Sequence, residues 1–223
     1  MKKTRVIAIE GIDGSGKSVQ LELLKSCLLA KNLKVAVRSF PEYSSFFGSR
    51  IGELLSGADG LSADEVDGKS MALWFALDRW ENFANYKDGD ADVLLINRYV
   101  LSNAVYQSIR DRDLDKPDLL EWVFELEFRH FKIPEPDIHL IFDVDPAAAA
   151  RNVDKKGFRD YVGRGRDVYE SMDSIQSRAR AKYLEYAKRL GNAPVIKCME
   201  NGSLLPMETI AALVQKEISR FGL

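Results

Sequence analysis

The 223-residue sequence predicts an α/β fold, a five-stranded parallel sheet with helices on both faces. Three observations predict it. Short apolar, β-branched runs alternate with longer stretches of helical periodicity along the chain. No linker, internal repeat or low-complexity tract interrupts the alternation, so residues 1–223 read as one domain. The first apolar run also leads through a glycine-rich turn into a helix, the order in which a phosphate-binding loop is built.

Residues 5–10 are the first strand. Gly11, Ile12, Asp13, Gly14, Ser15, Gly16, Lys17 and Ser18 follow, matching glycine, any four residues, then Gly-Lys-Ser. Glycine is needed because several backbone N–H groups must turn inward and touch phosphate oxygens with no Cβ in the way. Beyond the loop, Leu21, Leu24, Cys27 and Leu28 recur at helical steps. The positive end of that helix then adds to the cradle. Lys17 is expected to reach the outer phosphates of a nucleoside triphosphate, and the Ser18 hydroxyl to ligate Mg²⁺.

Residues 34–40 read as a second strand stopped by Pro41, and residues 62–86 as one long helix closed by a turn at 87–90. Residues 92–97 give the third strand, followed by helices over 99–110 and 117–131, the latter ended by Pro134 and Pro136. Residues 137–143 are the fourth strand, and Pro146 suits the first turn of a short alanine-rich helix. A helix over 168–190, a fifth strand over 194–198 and a closing helix over 206–221 complete the pattern.

The formal net charge of −2 argues against a surface that coats nucleic acid. Cys27 and Cys198 fall in no metal-binding or redox spacing and read as reduced core residues. Met1 leads within a few residues into a strand, and no apolar stretch is long enough to span a bilayer, so the expected address is the cytoplasm. One segment departs from the regular pattern. Residues 154–167 combine Gly157, Gly163 and Gly165 with Lys155, Lys156, Arg159, Arg164 and Arg166. Glycine gives mobility and arginine a planar fork of donors for phosphate, so this reads as a lid that closes over the triphosphate and excludes water.

Four further stretches narrow the substrate. They are Phe40 to Tyr43, Phe75 to Glu81, Asn97 to Gln107, and Pro136 to Pro146 with its Pro-Asp start and Asp-Pro end. With the phosphate loop, and with Asp167 to Glu170 and Tyr183 to Glu185 further on, this set resembles the thymidylate kinases over nearly the whole chain. The resemblance implies a P-loop nucleotide kinase that transfers the γ-phosphoryl group of ATP to dTMP, needs Mg²⁺ and forms a homodimer. It implies that Phe75 stacks on thymine and that Arg79 donates to a ring carbonyl. Asn103 would meet the pyrimidine edge, and Tyr106 would lie beneath the sugar and disfavour a ribose hydroxyl. Asp13 would accept from the sugar 3′-hydroxyl, Arg98 would grip the acceptor phosphate, and Phe40 with Pro41 would form the adjoining wall. The phosphate loop carries no arginine, so Arg164 and Arg166 are expected to supply that charge from the lid.

The resemblance is not complete. Relatives commonly carry aspartate where this chain has Asn97, and an amide keeps the shape but loses the charge. Some carry a phosphate-binding arginine where Glu42 and Tyr43 stand here, a loss that Arg50 is placed to offset. Two other readings follow: another monophosphate or deoxynucleoside kinase, or a nucleotide-binding homologue weakened at position 97. The guanine-reading Asn-Lys-x-Asp is missing, which sets a GTP switch aside.

Overall fold

The computed structural model describes residues 3–57, 60, 62–110, 118–154 and 173–222. Five parallel strands form the sheet in the order β2-β3-β1-β4-β5. They are β1 (Arg5–Gly11), β2 (Val35–Ser39), β3 (Val93–Asn97), β4 (Ile138–Asp143) and β5 (Val195–Lys197). The central three are almost wholly buried, as continuous apolar runs covered on both faces must be, whereas β2 is half-exposed at an edge. Register brings the carboxyl ends level: Ile9 pairs with Asn97, Asn97 with Ser39, and Gly11 with Phe142. In an open parallel sheet that edge is where a ligand binds.

The flanking helices are α1 (Lys17–Ala30), α2 (Phe46–Ser56), α3 (Gly68–Asn82), α4 (Val100–Arg110), α5 (Leu120–Phe124), α6 (Pro146–Asp154), α7 (Asp173–Arg189) and α8 (Met207–Arg220). The single helix expected over 62–86 is divided. Ser62 and Glu65 close a capping box around a 3₁₀ turn at Ala63–Glu65. The chain restarts at Asp67, whose carboxylate accepts from the Ser70 N–H at the head of α3. The helix expected over 117–131 is also modified: α5 passes into a π-helical stretch, Glu125–His130, in which Phe131 N donates to Leu126 O. A two-stranded hairpin, β6 (Met199–Glu200) with β7 (Ser203–Leu204), has no counterpart in the sequence reading. Cys198 is buried as expected, but Cys27 is only half-buried at the margin of the α1 face.

Candidate functional site

At the phosphate loop, Gly14 and Gly16 have φ of 77° and 86°, the left-handed region that side chains avoid. A Cβ at Gly14 would also lie 2.0 Å from the Ala149 carbonyl oxygen, so α6 packs directly on the loop backbone. Asn152 of α6 donates to the Gly14 carbonyl at 3.0 Å. Lys17 is buried at the head of α1, with Nζ donating to Ile12 O at 2.7 Å and Gly11 O at 3.1 Å. Ser18, beside it, is exposed.

Arg98 follows β3 with φ 57°, a conformation unusual outside glycine, held by a 3.0 Å bond from its N–H to Ile9 O. This turn aims its guanidinium at the loop, where Nη2 donates to Asp13 Oδ1. The other Asp13 oxygen accepts from the Tyr106 hydroxyl at 3.2 Å, and the Arg98 guanidinium carbon lies 5.6 Å from the Tyr106 ring centre. Burial pulls the Arg98 proton affinity down, but the Asp13 charge outweighs it and holds the guanidinium above its ordinary range. Asp13 of the phosphate loop therefore meets Arg98 and Tyr106, both from the stretch that follows β3, at one carboxylate.

The residues expected around the base also converge. Phe40 is buried against Tyr99, with ring centres 6.0 Å apart, and the Arg79 guanidinium carbon lies 6.0 Å from the Phe40 ring centre. Phe75 is half-buried, one turn from Arg79 on α3. The Phe40–Pro41 turn is tied to α3 through Asp78, which accepts from Glu42 N at 3.1 Å and Ser45 Oγ at 2.9 Å. Arg79 has a partner the sequence did not indicate: Nε and Nη2 form a fork on the Glu127 carboxylate at 2.5 and 2.6 Å, both residues almost wholly buried. Asn103 donates from Nδ2 to that carboxylate and to Ala72 O, each at 3.0 Å.

Asn97 donates to Ser39 Oγ at 3.0 Å, and its buried Oδ1 has no partner among the described residues. Arg50 pairs with Glu53 on α2, so its head group is already engaged. Arg164, Arg166 and Arg159, with the expected lid from residue 155 onward, lie outside the described residues. Among those described, no helix is long and apolar enough to cross a membrane, and no group of three or more His, Cys, Asp or Glu could hold a metal.

The sequence model of the family described as thymidylate kinase matches residues 9–201. The chain belongs to the thymidylate kinase family. It is an ATP-dependent phosphotransferase that converts dTMP to dTDP. It is 35% identical over 185 residues to thymidylate kinase of Mycobacterium tuberculosis H37Rv, covering 82% of this chain and 85% of that one. It is 33% identical over 184 residues to a probable thymidylate kinase of Methanocaldococcus jannaschii, covering 82% and 81%. The fold is similar to that of Candida albicans thymidylate kinase, with TM-score 0.73 at 20% identity over 98% of this chain and 92% of the other.

Three residues of the chain support the site without having been singled out in the sequence. Glu10, buried at the end of β1, accepts from Tyr99 N at 3.0 Å and Ser102 Oγ at 2.5 Å, and so anchors the start of α4 beside the loop. Burial pushes its carboxyl above the ordinary range, against the opposing pull of those hydrogen bonds. Gln176 of α7 accepts from Asp13 N at 3.1 Å and donates to Asp13 Oδ2 at 3.2 Å, fixing the loop carboxylate from the far side. Glu127 is the third. Its spacing from Leu120 and Val123, both buried, places it on their helical face, which was the one available signal. A charged residue on an apolar stripe must find a buried partner.

Proposed function

We propose that the cluster at the carboxyl edge of the sheet carries the phosphoryl transfer, with the donor held by Gly11 to Ser18 and dTMP by Asp13, Phe40, Pro41, Phe75, Arg79, Arg98, Asn103 and Tyr106. The supporting observation is that Asp13, a phosphate-loop residue, is bonded to both Arg98 and Tyr106, so donor and acceptor residues share one wall. A monophosphate oxygen with a second pKa of about 6 is largely ionised at neutral pH and needs no general base. That oxygen attacks the γ-phosphorus, the bond from the γ-phosphorus to the bridging oxygen breaks, and ADP leaves with the electron pair. Two anions must be brought into line, a task of positioning and charge rather than proton transfer. Lys17 is suited to the outer phosphates. Arg98 has five N–H donors, more than its bond to Asp13 uses, and can turn others to the acceptor phosphate.

Mg²⁺ fits this arrangement. It binds through few protein groups and several waters and phosphate oxygens, so the exposed Ser18 hydroxyl is an adequate protein ligand. The ion would spread negative charge from the β- and γ-phosphates. The same reading takes the enzyme as a single cytoplasmic domain that acts on ATP and dTMP and works as a homodimer.

An ADP-release assay across dTMP, dUMP, UMP, CMP, AMP and GMP tests the acceptor. The expected outcome is turnover with dTMP at least about a hundredfold above CMP and both purines, because buried base-edge groups reject a mismatched partner. It should also stand well above UMP, because Tyr106 leaves no room for the ribose 2′-hydroxyl. Equal turnover with a purine monophosphate would rule out the site assignment.

A further inference from the structure

We propose that Glu127 is a specificity-determining positioning residue, which locks the Asn103 amide and the Arg79 guanidinium in the one orientation that reads thymine rather than cytosine. This rests on the reading that Arg79 and Asn103 face the base. Glu127 is 0% exposed, and its single carboxylate accepts from Arg79 Nε, Arg79 Nη2 and Asn103 Nδ2. An asparagine amide can present either its oxygen or its nitrogen, and on an open surface it flips. Here Nδ2 lies between two acceptors, Glu127 Oε1 and Ala72 O, so the flipped amide would set oxygen against two oxygens. The amide orientation is therefore fixed.

The consequence falls on Asn103 Oδ1. That oxygen is buried and has no hydrogen-bond partner among the described residues. A buried carbonyl oxygen left in this way favours a ligand that brings a donor. Thymine presents N3–H beside the O4 carbonyl, a donor next to an acceptor. Asn103 Oδ1 complements the first and an Arg79 N–H the second. Cytosine reverses both groups, with a lone pair at N3 and an amino group at position 4. It would set lone pair against lone pair and donor against donor. Uracil shares the thymine edge, so the lock selects for the edge and not for the methyl group.

Steady-state kinetics with dTMP, dCMP and ATP test this in the wild type, Glu127→Gln, Asn103→Ala and the double variant. A glutamine keeps the volume but loses the charge, and its amide N–H groups must face Arg79 in either orientation and Asn103 as well in one of them, donor against donor. The expected result for Glu127→Gln is a dTMP KM raised about tenfold or more with the ATP KM within about twofold of wild type. The ratio of kcat/KM for dTMP over dCMP should fall about tenfold. The double variant should fall well short of the product of the single effects, because both act through one amide. A dTMP KM raised by Asn103→Ala but not by Glu127→Gln would make Glu127 merely structural and overturn the proposal. Unchanged dTMP kinetics in Asn103→Ala would overturn it differently, by removing the base-reading assignment beneath it. Should Glu127→Gln fail to fold, Glu127→Asp replaces it. That variant keeps the charge but is one methylene too short to hold both partners, and the same KM split is expected. A folded Glu127→Asp with wild-type dTMP KM and dTMP/dCMP ratio would overturn the proposal.

Discussion

At position 97 stands an asparagine where the family resemblance leads one to expect an aspartate. The Asn97 amide spends its N–H on Ser39 while its buried Oδ1 lacks a partner among the described residues. The position thus has room for an acceptor stronger than an amide oxygen. It also sits level with Ile9 on β1, two residues before the phosphate loop. Asp13 already supplies a carboxylate to Arg98, which accounts for how that arginine is held without an acid at 97. What remains for an acid there is the Mg²⁺ ion or its waters. A hydrogen bond involving a charged group is worth about 1.5–3 kcal/mol against about 0.5–1.5 for a neutral one. Asn97→Asp is therefore expected to lower the Mg²⁺ concentration for half-maximal turnover about tenfold. Turnover titrated against Mg²⁺ in both forms checks it, and superimposable curves would place residue 97 outside the catalytic machinery.

At the scale of elements, legibility followed how local each signal was. The phosphate loop was readable because its demands are backbone demands: positive φ at Gly14 and Gly16, and no room for a Cβ at Gly14. The strands were readable because burial on both faces leaves β1, β3 and β4 mostly apolar, with Glu10 and His139 as buried exceptions. The division of the long helix was less visible, since the Asp67 cap competes with an apolar pattern that runs on through it. Glu127 and Gln176 were not assigned at all. Their partners Arg79 and Asp13 are 48 and 163 residues away, and no local pattern encodes such a meeting.

Helix α3 shows the same division between its two sides. Phe75 and Arg79, assigned above to the base pocket, share one face, while Leu73 and Trp80, seven residues apart, emerge at 39% and 47% exposure. At 100° per residue these pairs lie on opposite faces, and Phe46 of the neighbouring α2 is 73% exposed. If the chain works as the proposed homodimer, these exposed apolar side chains are candidates for its contact surface. Trp80→Lys is expected to halve the sedimenting mass while leaving the circular dichroism spectrum intact. A wild-type chain that already sediments as a monomer at micromolar concentration would remove the dimer proposal.

For the molecule as a whole, His139 in β4 makes one separable contribution to stability against acid. Its ring is buried and stacked on Phe124, with centres 6.2 Å apart and planes 13° apart, and Nδ1 has no partner among the described residues. Burial without a compensating charge pushes its pKa down to about 4. In the unfolded chain the imidazole titrates near its ordinary 6.5. Between those values the unfolded state takes up a proton that the folded state refuses, so stability is present above pH 6.5 and lost as pH falls toward 4. Between pH 7 and 5 the loss amounts to about 2 kcal/mol. Glu10 and Asp78 act in the opposite sense, because burial raises both carboxyls and acid then relieves a buried charge. A total stability curve therefore mixes the two effects, and the difference between wild type and His139→Leu isolates the histidine. Leucine fills much of the same apolar space and does not titrate, so its unfolding free energy should fall about 2 kcal/mol less over that interval. Urea unfolding of both proteins at pH 7 and pH 5 makes the comparison, and parallel losses would show that His139 is protonated as readily folded as unfolded.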